Sequence, residues 1–325
     1  MDHLKRIENW IGVVVIVLFI FSVTTQKGIA AGREIQKDYP LTQLTKNVYV
    51  IYGPNEEVSK ENQAFRNNPV IVMTDKGVVV VDPGSSVYIG EMLVKKVKTL
   101  TDKPIIAVFN THAHGDHWLG NHGIRNHYPK VPIYADLSMK QGIANGDGET
   151  WIKAINQRSD GAIEGTKVVG PDHVVKNGDE IKFGNITFKI YSAGKAHSDS
   201  DIMLQIPEEK VFLFGDVLRD HNISPFMSSF KGDLAALDLA EKVDAKVYVP
   251  GHGQSGGKEL IDNFRKFIDV LKAEVRKHYD EGMSDFEMKP KVINALKGYQ
   301  DWSGFDENIG RLISLAYLEV ENDSF

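Results

Sequence analysis

Phe109-Asn110-Thr111-His112-Ala113-His114-Gly115-Asp116-His117-Trp118-Leu119-Gly120-Asn121 is the stretch on which the reading of the whole chain turns. The apolar run Ile105–Phe109 enters it as a strand, and the pattern beyond it predicts a helix over 118–127. Between them, positions 112–117 carry three histidines and an aspartate. Neutral imidazoles and carboxylates are zinc ligands, and a strand-to-helix loop aims several side chains at one point. His112 and His114 alternate across Ala113, so an extended backbone points both the same way. Gly115 lets the chain turn and bring Asp116 and His117 in from a second direction.

Working outward, one arrangement occurs twice. Residues 77–81 read as a buried strand ending at Asp82, followed by the turn Pro83-Gly84-Ser85-Ser86. The segment 88–100 places Ile89, Met92, Leu93, Val97 and Leu100 near one helical face, and the next strand leads into His112. Later, an apolar strand at 211–214 ends in Gly215-Asp216, a helix follows at 234–243, and a strand at 247–249 leads through Pro250-Gly251 into His252. Two such βαβ halves meeting at a common edge bring a polar residue from each strand end into one crevice, where open α/β sheets bind ligands. The remaining strands are read at 48–52, 69–73 and 202–206, with a hairpin of 180–183 and 186–192 across Gly184-Asn185. His197 lies in the loop after that hairpin. Pro132 confines a short strand at 131–134 to a sheet edge. Helical pieces are expected at 137–145 and 149–158, with 161–179 irregular and a long amphipathic helix at 258–279.

The bulk properties narrow the classes of function. The chain has 325 residues and a formal net charge of −6, with no long Lys/Arg run, which argues against a phosphate-backbone binder and so against nucleic acid. It has no cysteine, so a metal site must be built from His, Asp, Glu and water. Lys5 and Arg6 precede an apolar run over 10–23, shorter than the roughly 20 residues that cross a bilayer comfortably, with small residues after it. Residues 1–31 are therefore expected to be a secretory signal or membrane anchor, and the protein to be exported, to a periplasm in particular. The other divisions expected are a linker over 32–46, a main domain over 47–281 and a helical extension over 282–325. The polar segment 53–68 is long enough to be a flap.

His-x-His-x-Asp-His at 112–117, then the loop His197, Asp216 after an apolar run and Gly, and Gly251-His252 resemble the metallo-β-lactamase superfamily. The likeness runs from about Val48 to Tyr279, with the motif elements in the expected order. It implies an α/β fold, an αββα sandwich with two zinc ions at one sheet edge. Carried over residue by residue, His112, His114 and His197 hold the first zinc, Asp116, His117 and His252 the second, and Asp216 bridges both. Asp82 matches the family's strand-end Asp, a supporting group and not a ligand. The activity implied is hydrolysis of an ester, thioester, lactone or lactam by a metal-bridging hydroxide, with Asp116 orienting the nucleophile or moving its proton.

The commonest two-zinc β-lactamases place a cysteine where this chain has Asp216, so the chain is more similar to type II glyoxalases, lactonases and generic exported metallohydrolases. The Thr111–Asn121 wording and the C-terminal extension resemble those tied to periplasmic quinoprotein and sulfur-oxidation systems. A β-lactamase proper is one alternative; a persulfide dioxygenase with a single iron is another. A small-molecule substrate is expected, with Arg219 and His221 as its candidate cations, Trp118 and the flap as candidate walls, and His122, His127, His173 and His278 in surface or packing roles.

Overall fold

The computed structural model describes residues 34–224 and 229–324. The expected signal or anchor, 1–31, lies outside them; among the described residues no helix is long and apolar enough to cross a membrane. The first half runs β1 Thr42–Gln43, β2 Val48–Val50, β3 Val70–Met73, β4 Val78–Val81, α1 Val87–Leu100 and β5 Ile105–Phe109. It continues through α2 Gly115–Trp118, α3 Asn121–His127, β6 Ile133–Ala135, α4 Leu137–Ala144, α5 Asp147–Arg158 and β7 His173–Val174. The second half is β8 Glu180–Phe183, β9 Ile186–Tyr191, β10 Met203–Ile206, β11 Val211–Gly215, α6 Phe230–Glu241 and β12 Val247–Pro250. Three helices follow: α7 Glu259–Asp280, α8 Asp285–Ala295 and α9 Phe305–Asn322.

Strands β1 to β7 form one sheet in sequence order, and the other sheet runs β12-β11-β10-β9-β8. Within them, β4–β5 and β11–β12 pair in parallel, as a βαβ crossover demands, and so do β5–β6 and β6–β7. The valines of β4 show how the layers form. All four are buried: Val79 and Val81 pack between the sheets with Phe109, Phe188, Leu204 and Leu213, while Val78 and Val80 pack with Leu93, Val97 and Ile124 of the outer helices. In the second sheet, Leu204 and Leu213 point inward, and Met203, Phe212 and Phe214 lie under α6 to α9. Helices thus cover both outer faces, giving the αββα sandwich. The long helix α7 buries Ile261, Phe264, Phe267, Ile268, Leu271 and Val275, a three- and four-residue spacing that keeps one stripe on the core. The 282–325 segment supplies Met288, Val292, Leu312, Ile313 and Ala316 to the same cluster.

Four local expectations need correction. Strand β6 is interior, between β5 and β7, because Pro132 sits just before it and needs only its carbonyl, which accepts from Val108 N at 3.0 Å. The helix expected at 118–127 is two pieces, broken at Gly120, whose backbone lies so close to Pro83 that a Cβ would stand 2.0 Å from the Pro83 carbonyl oxygen. The stretch 161–179 contributes β7, and β1 lies within the expected linker.

The strand ends are stitched together at one edge. Asp82 N donates to Phe109 O at 2.9 Å, Ile202 N to Thr111 O at 2.8 Å, Gly251 N to Gly215 O at 2.6 Å and Asn68 N to Gly251 O at 2.8 Å. These bonds fix the loops that carry every candidate ligand.

Candidate metal centre

Two groups of donors meet at this edge. His112, His114, His197 and Asp216 offer ligand atoms all within 4.8 Å of one another, and so do Asp116, His117 and His252. His114 Nδ1 lies 2.8 Å from His197 Nε2, and His117 Nε2 lies 3.2 Å from His252 Nε2. Asp216 stands between the groups. Its Oδ2 is 3.4 Å from His197 Nε2 and 3.3 Å from His252 Nε2, and its Oδ1 is 3.1 Å from His117 Nε2. Asp116 Oδ2 is 3.3 Å from His252 Nε2 and 3.8 Å from His117 Nε2.

The donor set fits metal ions. A tetrahedral shell with zinc–nitrogen bonds of about 2.0–2.1 Å separates neighbouring ligand atoms by roughly 3.3 Å, the range seen here. His112 Nε2 and Asp216 Oδ1 are buried with no hydrogen-bond partner, and a buried polar atom left unpaired is costly unless something else satisfies it.

The other faces of the rings are held by the protein, which sets which nitrogen is presented. Asp82 organises one side. Its Oδ2 takes His117 Nδ1 at 2.9 Å and Thr111 Oγ1 at 2.6 Å, and its Oδ1 takes Thr111 N at 2.8 Å. Asp82 adopts this pose at φ +52°, turning the end of β4 back over the loop. His252 Nδ1 donates to the Arg66 carbonyl at 2.9 Å, which aims Nε2 at the centre. Thr111 Oγ1 lies 3.0 Å from His112 Nδ1. Two glycines make room: a Cβ on Gly215 (φ +56°) would stand 2.5 Å from Thr111 Oγ1, and one on Gly251 would stand 2.0 Å from Asp216 Oδ1.

The electrostatics divide the two groups. Burial holds the His112 and His197 imidazoles well below their ordinary range, and that of His114 down to about 4, so these are neutral and ready to ligate. Burial also disfavours charge on His117 and His252, but Asp216 and Asp116 outweigh it and raise both. In turn, burial pushes Asp116 and Asp216 up, and the neighbouring imidazoles outweigh it to hold both carboxylates ionised. The two carboxylates thus favour positive charge on His117 and His252, and a metal ion bound there would supply that charge in place of protons.

All seven residues of the sequence-derived ligand set come together here. Arg219 and His221 do not reach the cleft over them. Arg219 is buried, its Nη2 donating to His197 Nδ1 and its Nε to the Asp216 carbonyl at 3.2 Å. His221 pairs with Asp220 Oδ1 at 2.6 Å and lies against Trp302. Trp118 is fully buried with its indole N–H on Ala113 O, so it is core and not wall; Trp151 of α5 instead lies 5.1 Å from the His114 ring. The cleft is lined by Val58, Arg66, His114, Asp116, Arg158 and His252, among others. Arg66, Arg158 and the nearby Glu57 had no sequence motif to mark them. Of the other histidines, His173 stacks on Tyr134 and His278 bonds Glu281.

A catalytic edge of this composition, on this sandwich, is that of a metal-dependent hydrolase. The chain belongs to the metallo-beta-lactamase superfamily, whose family model matches residues 64–252. It is similar to a metallo-beta-lactamase type 2 of Bacteroides fragilis, 22% identical over 268 residues, 79% of this chain and 94% of that one. It is also similar to hydroxyacylglutathione hydrolase 1 of Vibrio vulnificus, 22% identical over 70% of this chain and 76% of that one. Among solved structures, the stereoselective inverting sec-alkylsulfatase Pisa1 from Pseudomonas sp. superposes with a TM-score of 0.66 at 15% identity, covering 86% of this chain and 50% of that one. Relatives with such different names share one scaffold, so the substrate is decided by what surrounds the metals.

Proposed function

We propose that this protein is an exported dinuclear zinc hydrolase that cleaves an ester, thioester, lactone or lactam. The observation that carries the reading is Asp216, whose two oxygens face both donor groups at 3.1–3.4 Å. In this reading His112, His114 and His197 hold one ion, Asp116, His117 and His252 the other, and Asp216 both. Two zinc ions there would supply a water acidic enough to ionise near pH 7 and a Lewis acid for the carbonyl oxygen.

The chain's own groups do the rest. Asp116, ionised and lining the cleft, orients the nucleophile and moves its proton. Val58 and Ile155 give the cleft apolar wall, which thins the water around the reacting atoms and strengthens every charge there. The complete second donor group supports two metals over a single iron. Export is supported by Lys5 and Arg6 before the apolar run 10–23, and the Thr111–Asn121 wording supports kinship with periplasmic quinoprotein- and sulfur-oxidation-associated hydrolases.

The test is turnover by zinc-loaded protein on a chromogenic cephalosporin, an acyl-homoserine lactone and a glutathione thioester, beside Asp116→Asn. One class should be cleaved, with activity abolished by chelation and cut about 100-fold or more in the variant, the usual weight of a positioned base. Full activity in Asp116→Asn, or turnover that survives chelation, would overturn the assignment.

A further inference from the structure

The cleft holds two arginines that the metal centre does not use. Arg66, at the end of the flap, has a side chain only 9% exposed, and its Nη1 donates to Glu57 Oε2 at 3.1 Å. Its Nε is buried without a hydrogen-bond partner, 3.9 Å from Asp116 Oδ2. Arg158, the last residue of α5, donates from Nη2 to that same Glu57 oxygen at 2.5 Å. Glu57 and Arg158 are both nearly half exposed, so their pairing is open to exchange with solvent and solutes.

Two guanidiniums share one carboxylate oxygen. Each guanidinium carries five N–H donors in a planar fork, so the pair has far more donors than Glu57 has lone pairs. Burying a guanidinium nitrogen with nothing to bond is costly. Such forks match planar carboxylates bidentately, and the occupant that the protein itself supplies is a carboxylate.

We propose that Arg66 and Arg158 seat a carboxylate of the substrate beside Asp116, and that the flap residue Glu57 fills this seat between turnovers. The proposal rests on the hydrolase reading and narrows it: the preferred substrate carries an anionic carboxylate on the half of the molecule that faces the flap. Glu57 is a resident competitor, whose half-exposed carboxylate the substrate carboxylate displaces from the two guanidiniums. The Arg66 carbonyl that orients His252 is backbone, so side-chain variants at 66 leave that bond in place.

The experiment compares two chromogenic esters of equal acyl length, 4-nitrophenyl valerate and the 4-nitrophenyl monoester of glutarate, with zinc-loaded full-length protein. Wild type should favour the glutarate ester in kcat/KM. Arg66→Gln and Arg158→Gln should each lower the charged-to-neutral ratio about tenfold or more, as loss of a charge-assisted bond implies. Glu57→Gln should lower KM for the glutarate ester. A ratio unmoved in both arginine variants would overturn the proposal while leaving the hydrolase intact. Glutarate binding by calorimetry covers the case of no turnover on either ester. Weaker binding in Arg158→Gln would then uphold the seat while the carbonyl reading failed, and equal binding would overturn the seat. Arg158 is half exposed, so its variant is measurable even if Arg66→Gln fails to fold. Inorganic sulfate binding more tightly than glutarate, and weakening in Arg158→Gln, would overturn the carboxylate assignment in favour of a tetrahedral oxyanion.

Discussion

Asp82→Asn separates the orientation of a ligand from the ligand itself. Asp82 sits at φ +52°, a conformation in which Asn is among the best-tolerated residues, so the substitution leaves the backbone alone. Its Oδ1 bond from Thr111 N survives in the amide oxygen. What changes is Oδ2, which accepts from His117 Nδ1 at 2.9 Å and Thr111 Oγ1 at 2.6 Å and becomes an NH2 donor. His117 must then accept at Nδ1 and carry its proton on Nε2, the atom it turns toward Asp216 and His252. Outer partners of this kind are worth about 10–100-fold in metal affinity, or roughly 1.4–2.8 kcal/mol. The assay is competition with a chromophoric zinc chelator at pH 7, alongside metal content and far-UV circular dichroism. One equivalent of zinc should weaken by that factor and the other hold. Two equivalents bound as tightly as in wild type would refute the claim that Asp82 sets the His117 tautomer.

Two further outcomes follow from the same geometry. Gly251→Ala should drop zinc below two equivalents with secondary structure retained, because its Cβ would stand 2.0 Å from Asp216 Oδ1 and 2.9 Å from His117 Cε1; a fully loaded variant would show that the loop yields freely. Asp201 is raised to about 7, chiefly by burial, against about 3.9 in an unfolded chain. The folded state therefore holds this proton longer than the unfolded one, so the contribution to stability is full below pH 4 and is lost as pH rises from about 4 to 7, at up to about 1.4 kcal/mol per pH unit. Denaturant unfolding of chelated wild type and Asp201→Asn across that window should show the difference between them changing with pH; a flat difference would refute it.

Most of the donor set was legible because its members are marked locally, whereas His197, in a loop between strands, was placed only by the family resemblance. His112 to His117 stand at a strand exit, and Asp216 and His252 stand at the ends of apolar strands whose parallel pairing follows from the βαβ repeat. The four-valine strand β4 likewise reads as buried on both faces. Arg66 and Arg158 were not legible, because nothing near either in sequence points to the cleft. Their meeting in the cleft depends on the flap folding back across the sheet edge and on where α5 ends. Arg219 shows the opposite failure. Its place just after Asp216 makes it a candidate cation for substrate, but Val217 and Leu218 are buried and turn the segment inward, so the guanidinium meets the rear of His197. Trp118, expected as a wall, is core: periodicity within a four-residue helix does not say which face the neighbouring layer covers, and α4, α5 and the 161–168 segment cover it.

Metal content of the purified protein, measured by mass spectrometry in parallel with turnover, bears most directly on the central claim of a two-metal hydrolase joined through Asp216. The account predicts two equivalents of zinc per chain in wild type, a fall in both content and hydrolysis on chelation, and loss of at least one equivalent in Asp216→Asn. A single equivalent of iron, or two equivalents that survive intact in Asp216→Asn, would contradict it.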